Sequence, residues 1–174
     1  FDNEVSYNPQ IEGFISKTSL TATGYIVEAA VPFTQLEAKP GDILGFDLQV
    51  NNDENDDGVR DSVSIWCDAS GQSWQNVSGL GNIILDGEVA TAKVPVDEYG
   101  LDSTGRMVAY FGTPIIDGEV DDIWNDTDIV IPQFISENTI ATATFKAMWD
   151  DNGIYILAEV KDSQMSVQSR NPYE

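Results

Sequence analysis

Short segments with β-strand composition follow one another along the sequence, and no stretch shows a sustained helical repeat of apolar positions. The clearest are residues 141–149 (ATATFKAMW) and 154–160 (IYILAEV), which are rich in β-branched and aromatic residues. Residues 150–153 (DDNG) separate them, and we expect Asn-Gly to supply the positive φ values of a tight hairpin turn. Many short strands divided by turns predict an all-β protein, built as an antiparallel β-sandwich.

Other strands are predicted ahead of this hairpin. They share β-branched or aromatic composition, and turn residues bound most of them. In residues 43–50, apolar residues alternate with polar ones, so the face that carries the apolar residues is expected to contact the core. The four segments are residues 24–31, 43–50, 62–67 and 82–86.

The chain is strongly acidic, with 8 Lys and Arg against 30 Asp and Glu and a net charge of −22. Such a charge repels the phosphates of nucleic acids and anionic lipid surfaces. We therefore expect neither nucleic acid nor membrane as a partner, and the sequence has no apolar run long enough to span a bilayer. A neutral polysaccharide is not repelled, and carboxylates suit hard cations.

The sequence contains no histidine and a single cysteine, Cys67. Without histidine, Ser–His and Cys–His hydrolase chemistry is excluded, as are the usual imidazole zinc sites. We interpret Cys67 as a half-buried apolar residue on a strand, because no imidazole can activate it. A glycoside hydrolase with two carboxylates stays open, although 30 acids bring some pair close by chance.

An acidic loop at residues 53–61 (DENDDGVRD) has the spacing D-x-N-x-D-G-x-x-D. Oxygens at its first, third and fifth positions can converge on one cation, and the glycine permits a sharp turn. The spacing predicts a calcium site with a structural role, and the alternative is a solvated acidic turn. The expected ligands are Asp53, Asn55, Asp57, the carbonyl of Val59, and Asp61.

The aromatic residues divide into two groups. Trp66, Trp124 and Trp149 lie in strands or apolar segments, so we expect them in the core. Trp74 and Tyr173 lie in polar segments where nothing in the pattern requires burial. An exposed aromatic ring suits the apolar face of a pyranose, whose hydroxyls pair with nearby amides and carboxylates.

The chain resembles family 9 carbohydrate-binding modules, which are non-catalytic domains attached mainly to bacterial endo-1,4-β-xylanases. The similar motifs cover nearly the whole chain outside residues 88–106. After that segment they are GTPIIDGEVDDIWN at 112–125, the hairpin at 141–160, and NPYE at 171–174. Before it they are GYIVEAAV at 24–31, GFDLQVN at 45–51, SIW at 64–66, SW at 73–74 and GNI at 81–83.

The resemblance implies a sugar clamp formed by two facing aromatic side chains, here Trp74 and Tyr173. Gln49 corresponds to a glutamine that hydrogen-bonds the ligand, and the resemblance also implies roles for Gln72 and Asn171. The sequence departs from the family at Gly71, where members carry a ligand-contacting asparagine.

The resemblance also implies a jelly-roll-like sandwich whose halves are in permuted order, with about two central strands absent. Residues 1–87 resemble the C-terminal half of one module, and residues 107–174 resemble the N-terminal half of the next. Residues 88–106 would be the linker, and whether the halves pack as one sandwich stays open. The absent strands carry a ligand-binding Glu and Arg in the family. Exposed edges would also permit strand exchange between copies.

The implied function is non-catalytic binding of xylan, cellulose or their oligosaccharides, which targets an attached xylanase to plant cell walls. Such a module is extracellular, either secreted or attached to the cell surface. The alternative is a structural or interaction β-sandwich, permuted or exchanged between chains, that lacks a competent sugar site.

Overall fold

The computed structural model describes residues 11–53, 55, 57, 59–73, 75–87, 93–135 and 141–162. These residues form ten β-strands and two short 3-10 helices, at Val77–Gly79 and Asp122–Asp126. Within them, no helix has the length and apolar character needed to cross a membrane. The strands are β1 Ile15–Thr21, β2 Gly24–Pro32, β3 Ile43–Phe46, β4 Gln49–Asn52, β5 Ser62–Ile65, β6 Gly81–Leu85, β7 Met107–Phe111, β8 Phe134–Ile135, β9 Thr142–Asp150 and β10 Gly153–Lys161.

The strands form two sheets, which confirms the predicted all-β sandwich. Seven strands form a large sheet in the order β1-β2-β10-β9-β7-β6-β3, and three form a small sheet in the order β4-β5-β8. The large sheet is mixed rather than purely antiparallel, because β7 runs parallel to both β6 and β9. Four of the five residues of β7 are buried. Continuous burial is typical of an interior parallel strand. β7 therefore lacks the alternation of apolar and polar residues that would indicate a strand in the sequence.

The large sheet contains strands from both sides of residues 88–106. β2 pairs with β10 along nine residues, from Gly24 opposite Lys161 to Pro32 opposite Gly153. The later part of the intervening segment packs on the sheet, because Leu101 is buried and bridges to Met107. The two parts of the chain therefore share one sheet and one core.

A tyrosine hydroxyl also holds the segment after residue 92. The backbone N–H of Val94 donates to Oη of Tyr110 at 3.1 Å, and that hydroxyl donates to Oδ2 of Asp128 at 3.0 Å. Burial and the hydrogen bond to Asp128 raise the pKa of Tyr110. The hydroxyl thus stays protonated and keeps both contacts at neutral pH.

The strand predicted over residues 43–50 is two strands, β3 in the large sheet and β4 in the small one. The chain changes sheet at Asp47. The carboxylate of Asp47 accepts hydrogen bonds from the backbone N–H groups of Leu48, Cys67 and Asp68, at 2.9 to 3.0 Å. These three bonds hold the crossover, and two of the donors are about 20 residues away in sequence.

The predicted hairpin between β9 and β10 is confirmed, but the prediction about its glycine is wrong. Gly153 does not have a positive φ angle. It is required instead by the neighbouring strand, since a Cβ at Gly153 would lie 2.5 Å from the carbonyl oxygen of Val31. Asp150 holds the turn by accepting from the N–H groups of Asn152 and Gly153.

The main core lies between the two sheets, and a second cluster covers the opposite face of the large sheet. Trp66 and Trp149 belong to the main core and Trp124 to the second cluster, each at most 1% exposed. The prediction that these three tryptophans pack in the core is confirmed. Cys67 is half-buried beside the main core, as expected, but the prediction that it lies on a strand is wrong, because β5 ends at Ile65.

Candidate functional site

The candidate sugar site lies at β4 and at the loop that follows β5. Gln49, on β4, and Gln72, in the loop, are both exposed. Trp74, Tyr173 and Asn171 lie outside the described residues. The structure therefore places two of the five predicted sugar ligands.

Asp68 organises the first part of the loop. Its carboxylate accepts from the backbone N–H and the hydroxyl of Ser70, at 3.0 and 2.6 Å, and from the N–H of Gln72 at 3.0 Å. The hydrogen bond from the Ser70 hydroxyl is the main cause of a lowered pKa at Asp68. The carboxylate is thus ionised at neutral pH and fixes the loop up to Gln72.

The loop then continues as a tight turn on either side of position 74. The N–H groups of Gln75 and Asn76 both donate to the carbonyl of Gln72, at 2.8 and 2.9 Å. The side chain of Asn76 caps the following 3-10 helix by accepting from the N–H of Ser78. Hydrogen bonds therefore fix the described residues on both sides of position 74.

The loop approaches β4 at Gly71. A Cβ built on Gly71 would lie 4.0 Å from Oε1 of Gln49 and 3.8 Å from Cδ1 of Ile65. Gly71 has φ +63°, in the left-handed region that glycine and asparagine adopt most readily. An asparagine in this place, as in the resembled modules, would keep the same backbone and add an amide beside Gln49.

Two polar residues that the sequence did not single out adjoin Gln49. Oδ1 of Asn51 accepts a short hydrogen bond from Nε2 of Gln49 and another, at 3.3 Å, from Nη1 of Arg60. Gln49 and Asn51 occupy alternate positions of β4 and therefore share one face. That alternation was the available signal for Asn51. No sequence pattern indicated Arg60, because it reaches this face from the acidic loop.

An apolar cleft of about 450 Å³ lies beside β4. Four consecutive residues, 48–51, line it, so the cleft follows the edge of β4 rather than one of its faces. Its other walls are mainly aliphatic and aromatic side chains of β2 and β10, including Tyr25, Val27 and Val160. Such walls suit an apolar segment of protein better than a hydroxyl-rich sugar.

The acidic loop follows β4 directly. The N–H of Asp57 lies 3.3 Å from Oδ1 of Asp53 and 3.0 Å from Oδ1 of Asn55, so the two oxygens face the same point. The N–H of Val59 donates to Oδ1 of Asp57 at 2.8 Å. Asp61 is exposed at the end of the loop. The described part of the chain contains no group of three acidic or thiol side chains close enough to hold a metal ion.

The loop residues that are described fit a cation in part. Asp53 and Asn55 turn side-chain oxygens inward, which is the donor type that calcium takes. Glu54, Asp56 and Gly58 lie outside the described residues.

Several curated proteins are similar to the chain. It is 36% identical, over 154 residues and 88% of its length, to the endo-1,4-beta-xylanase A of Thermoanaerobacterium saccharolyticum. It is 37% identical, over 156 residues and 88% of its length, to the exoglucanase XynX of Acetivibrio thermocellus. Over 87 residues, 49% of its length, it is 49% identical to the endo-1,4-beta-xylanase C of Paenibacillus barcinonensis.

The chain spans only 12%, 13% and 8% of the length of these three relatives. No solved structure matches it. The family described as "Carbohydrate family 9 binding domain-like" matches residues 1–88 and 116–174. These two segments make up most of the chain, and they lie on either side of the segment that separates the two resembled halves. The chain therefore belongs to the family of carbohydrate family 9 binding domains.

Proposed function

We propose that the chain is a non-catalytic module that binds xylan or cellulose chains and holds an attached xylanase on its substrate. The family match over residues 1–88 and 116–174 carries this proposal. The exposed Gln49 supports it, because Gln49 lies beside Gly71 in the loop whose sequence includes Trp74, and amide and aromatic side chains together suit a pyranose. In this reading, binding raises the local substrate concentration and the module performs no bond cleavage.

Each proposed ligand has a defined role. Trp74 and Tyr173 stack on the apolar faces of sugar rings, while Gln49, Gln72 and Asn171 hydrogen-bond to hydroxyls. The backbone N–H of Gln72 is already held by Asp68, so its side chain can reach solvent without loosening the loop. Stacking contributes most of the affinity, because aromatic anchors dominate binding at such sites.

The test is calorimetric titration with cellobiose and xylobiose of the wild type, the Trp74→Ala variant and a matched aromatic control. Tyr99→Ala is the control, since Tyr99 is 47% exposed and lies on the segment between the two halves. Trp74→Ala should lower the affinity at least about tenfold, as expected for a stacking anchor. Tyr99→Ala should leave it unchanged.

A folded wild type that binds neither sugar would contradict the proposal. The relative affinities of the two sugars decide between xylan and cellulose as the preferred polymer. Incubation of the same sample with xylan tests the absence of catalysis, and the release of reducing sugar would instead favour a hydrolase.

Calcium is the proposed cofactor of the acidic loop. The ligands would be the side chains of Asp53, Asn55, Asp57 and Asp61 with the carbonyl of Val59. The bound ion would supply positive charge to a loop of like-charged carboxylates, so its effect would be on stability. The inward-facing oxygens of Asp53 and Asn55 support this assignment.

Thermal unfolding with added calcium or with a chelator tests the cofactor. The melting temperature should rise with calcium in the wild type, and an Asp53→Asn, Asp57→Asn double variant should lose this response. Asp126→Asn is the control, because Asp126 is an exposed acid outside the loop. An identical melting temperature under both conditions would rule out the site.

The apolar cleft favours a second candidate function, a sandwich completed by strand exchange between copies. Among the described residues β4 pairs with β5 alone, so its other edge borders the cleft. A strand from a second copy could pair along that edge and bury its apolar side chains on β2 and β10.

Size-exclusion chromatography with light scattering tests the second candidate. A dimer that becomes monomeric when Val27→Asp places a charge on the cleft wall would support exchange. Lys17→Asp is the control, because Lys17 is an exposed residue of β1 that does not line the cleft. A monomer at every concentration would exclude it.

The proposed location is extracellular. Xylan and cellulose are polymers that cannot enter a cell, so a module that binds them acts outside it. Detection of the protein in culture medium or on the cell surface checks this proposal.

A further inference from the structure

A chain of two hydrogen bonds fixes the orientation of the Gln49 amide. The guanidinium of Arg60 contains only donors, so the atom of Asn51 that it contacts must be the carbonyl oxygen. The side chain of Gln49 contacts that same oxygen and must therefore donate through Nε2. Its carbonyl oxygen, Oε1, then turns toward the loop, 4.0 Å from the Cβ position of Gly71.

An amide that lacked these contacts would have no fixed direction. Gln49 is exposed, and rotation about its last side-chain bond would exchange its donor and acceptor ends. Ordering such a side chain on binding costs free energy, so a side chain ordered beforehand binds more tightly. The two bonds also determine which end of the amide a ligand meets.

We propose that Asn51 and Arg60 are positioning residues that hold Gln49 as a hydrogen-bond acceptor, so that the site selects a free sugar hydroxyl. A hydroxyl that carries an acetyl or methyl group has no proton to donate and would be rejected at this position. This inference rests on the proposed function, because it assigns a ligand group to the same site. Asn51 and Arg60 act through Gln49 and need not touch the sugar.

A double-mutant cycle measured by titration with cellobiose and xylobiose tests the proposal. Asn51→Ala alone should weaken binding about three- to tenfold, the range for one hydrogen bond. In a Gln49→Ala background the same change should have almost no effect, since there is no amide left to orient. Asn51→Asp should bind like the wild type, because its carboxylate still accepts from both neighbours.

Arg60→Ala should show the same dependence on Gln49, and Lys17→Ala is the matched loss of an exposed cation. Side-chain amide NMR supplies a readout that does not depend on sugar. The Gln49 amide resonances of the free protein should shift in Asn51→Ala and stay in place in Lys17→Ala.

Two failures are distinguishable. If the wild type binds sugar but the losses of affinity in Asn51→Ala and Gln49→Ala are additive, the positioning role is overturned and the proposed function stands. A folded wild type that binds neither sugar would overturn the proposed function and this inference together. Unmoved Gln49 resonances in Asn51→Ala would also overturn the positioning role.

Discussion

Single buried residues join parts of the chain that are far apart in sequence. Glu28 on β2 is fully buried, and its carboxylate accepts from the N–H groups of Asp117 and Gly118 and from Nε1 of Trp124. Three donors compensate for removing this carboxylate from water. Glu28 therefore fastens the segment that carries Trp124 onto the outer face of the large sheet.

Gly100 and Gly105 allow the free-energy cost of a strained backbone to be measured separately from the cost of a steric clash. Gly100 and Gly105 both have φ +78°, but a Cβ at Gly100 would lie 2.0 Å from the carbonyl oxygen of Ile129, whereas one at Gly105 would meet nothing within 4 Å. Gly105→Ala should cost about 1 kcal/mol for the left-handed backbone alone. Gly100→Ala should cost about 3 kcal/mol or more, because the backbone must also move.

Urea unfolding of the two alanine variants measures this difference. Equal losses of unfolding free energy would show that Gly100 does not pack closely against the backbone of Ile129. A larger loss at Gly100 would support that packing.

At the scale of elements, the loop between β5 and β6 depends on close contact with its own carboxylate. A Cβ at Gly79 would lie 2.7 Å from Cγ of Asp68, which is held by Ser70 and Gln72. Gly79→Ala should therefore displace Asp68 and disorder the loop that carries Trp74. We expect sugar affinity to fall about fivefold, equivalent to the loss of one hydrogen bond.

Gly87→Ala is the control for this change, because a Cβ at Gly87 would meet nothing within 4 Å. Titration with cellobiose and far-UV circular dichroism should show weaker binding by Gly79→Ala with the strand content retained. Affinity equal to that of Gly87→Ala would refute the role of Asp68 in holding the loop.

The sequence predicted those strands whose own residues carry the signal. β2, β9 and β10 are rich in β-branched and aromatic residues and were predicted within one or two residues of their bounds. The division of residues 43–50 into β3 and β4 was not predictable, because it depends on hydrogen bonds that Asp47 accepts from N–H groups distant in sequence. β1 is polar and exposed, β7 lacks alternation, and β8 has only two residues.

The candidate site was predictable to a similar extent. Gln49 and Gln72 followed from the family resemblance, and the structure places both at the β4 surface and its adjoining loop. Alternation along β4 was an unused signal for Asn51. Arg60 gave no signal, because a hydrogen bond between residues nine positions apart across a loop leaves no periodic pattern. The sugar-binding roles of all five residues, Gln49, Gln72, Trp74, Tyr173 and Asn171, stay predictions.

At the scale of the whole molecule, carboxylates in three turns make the fold sensitive to acid. Burial by itself raises the pKa of Asp150, but hydrogen bonds from Thr113, Asn152 and Tyr155 outweigh it and lower that pKa below 3.8. Asp68 and Asp102 also have lowered pKa values. The folded state therefore binds these protons more weakly than the unfolded state does.

The resulting stability is fully present above the ordinary carboxyl pKa of 3.8 and is lost as the pH falls through the lowered pKa values. Melting temperatures measured between about pH 6 and pH 2 should decline mainly in the acid part of that range. Asp150→Asn should melt lower at neutral pH and show a shallower decline. The same acid slope in the variant and the wild type would contradict this assignment.

The nine-residue pairing of β2 with β10 has a consequence for how the protein can be divided. That pairing, the contact of β6 with β7 and the bonds of Glu28 are all noncovalent, and each joins a residue before position 88 to one after position 92. The covalent link between the two parts supplies an effective concentration of about millimolar order. Polypeptides 1–88 and 93–174, produced separately, should then reassemble into one sheet at high concentration. This makes the protein a candidate for fragment complementation, in which sugar would favour reassembly if it binds only the reassembled form.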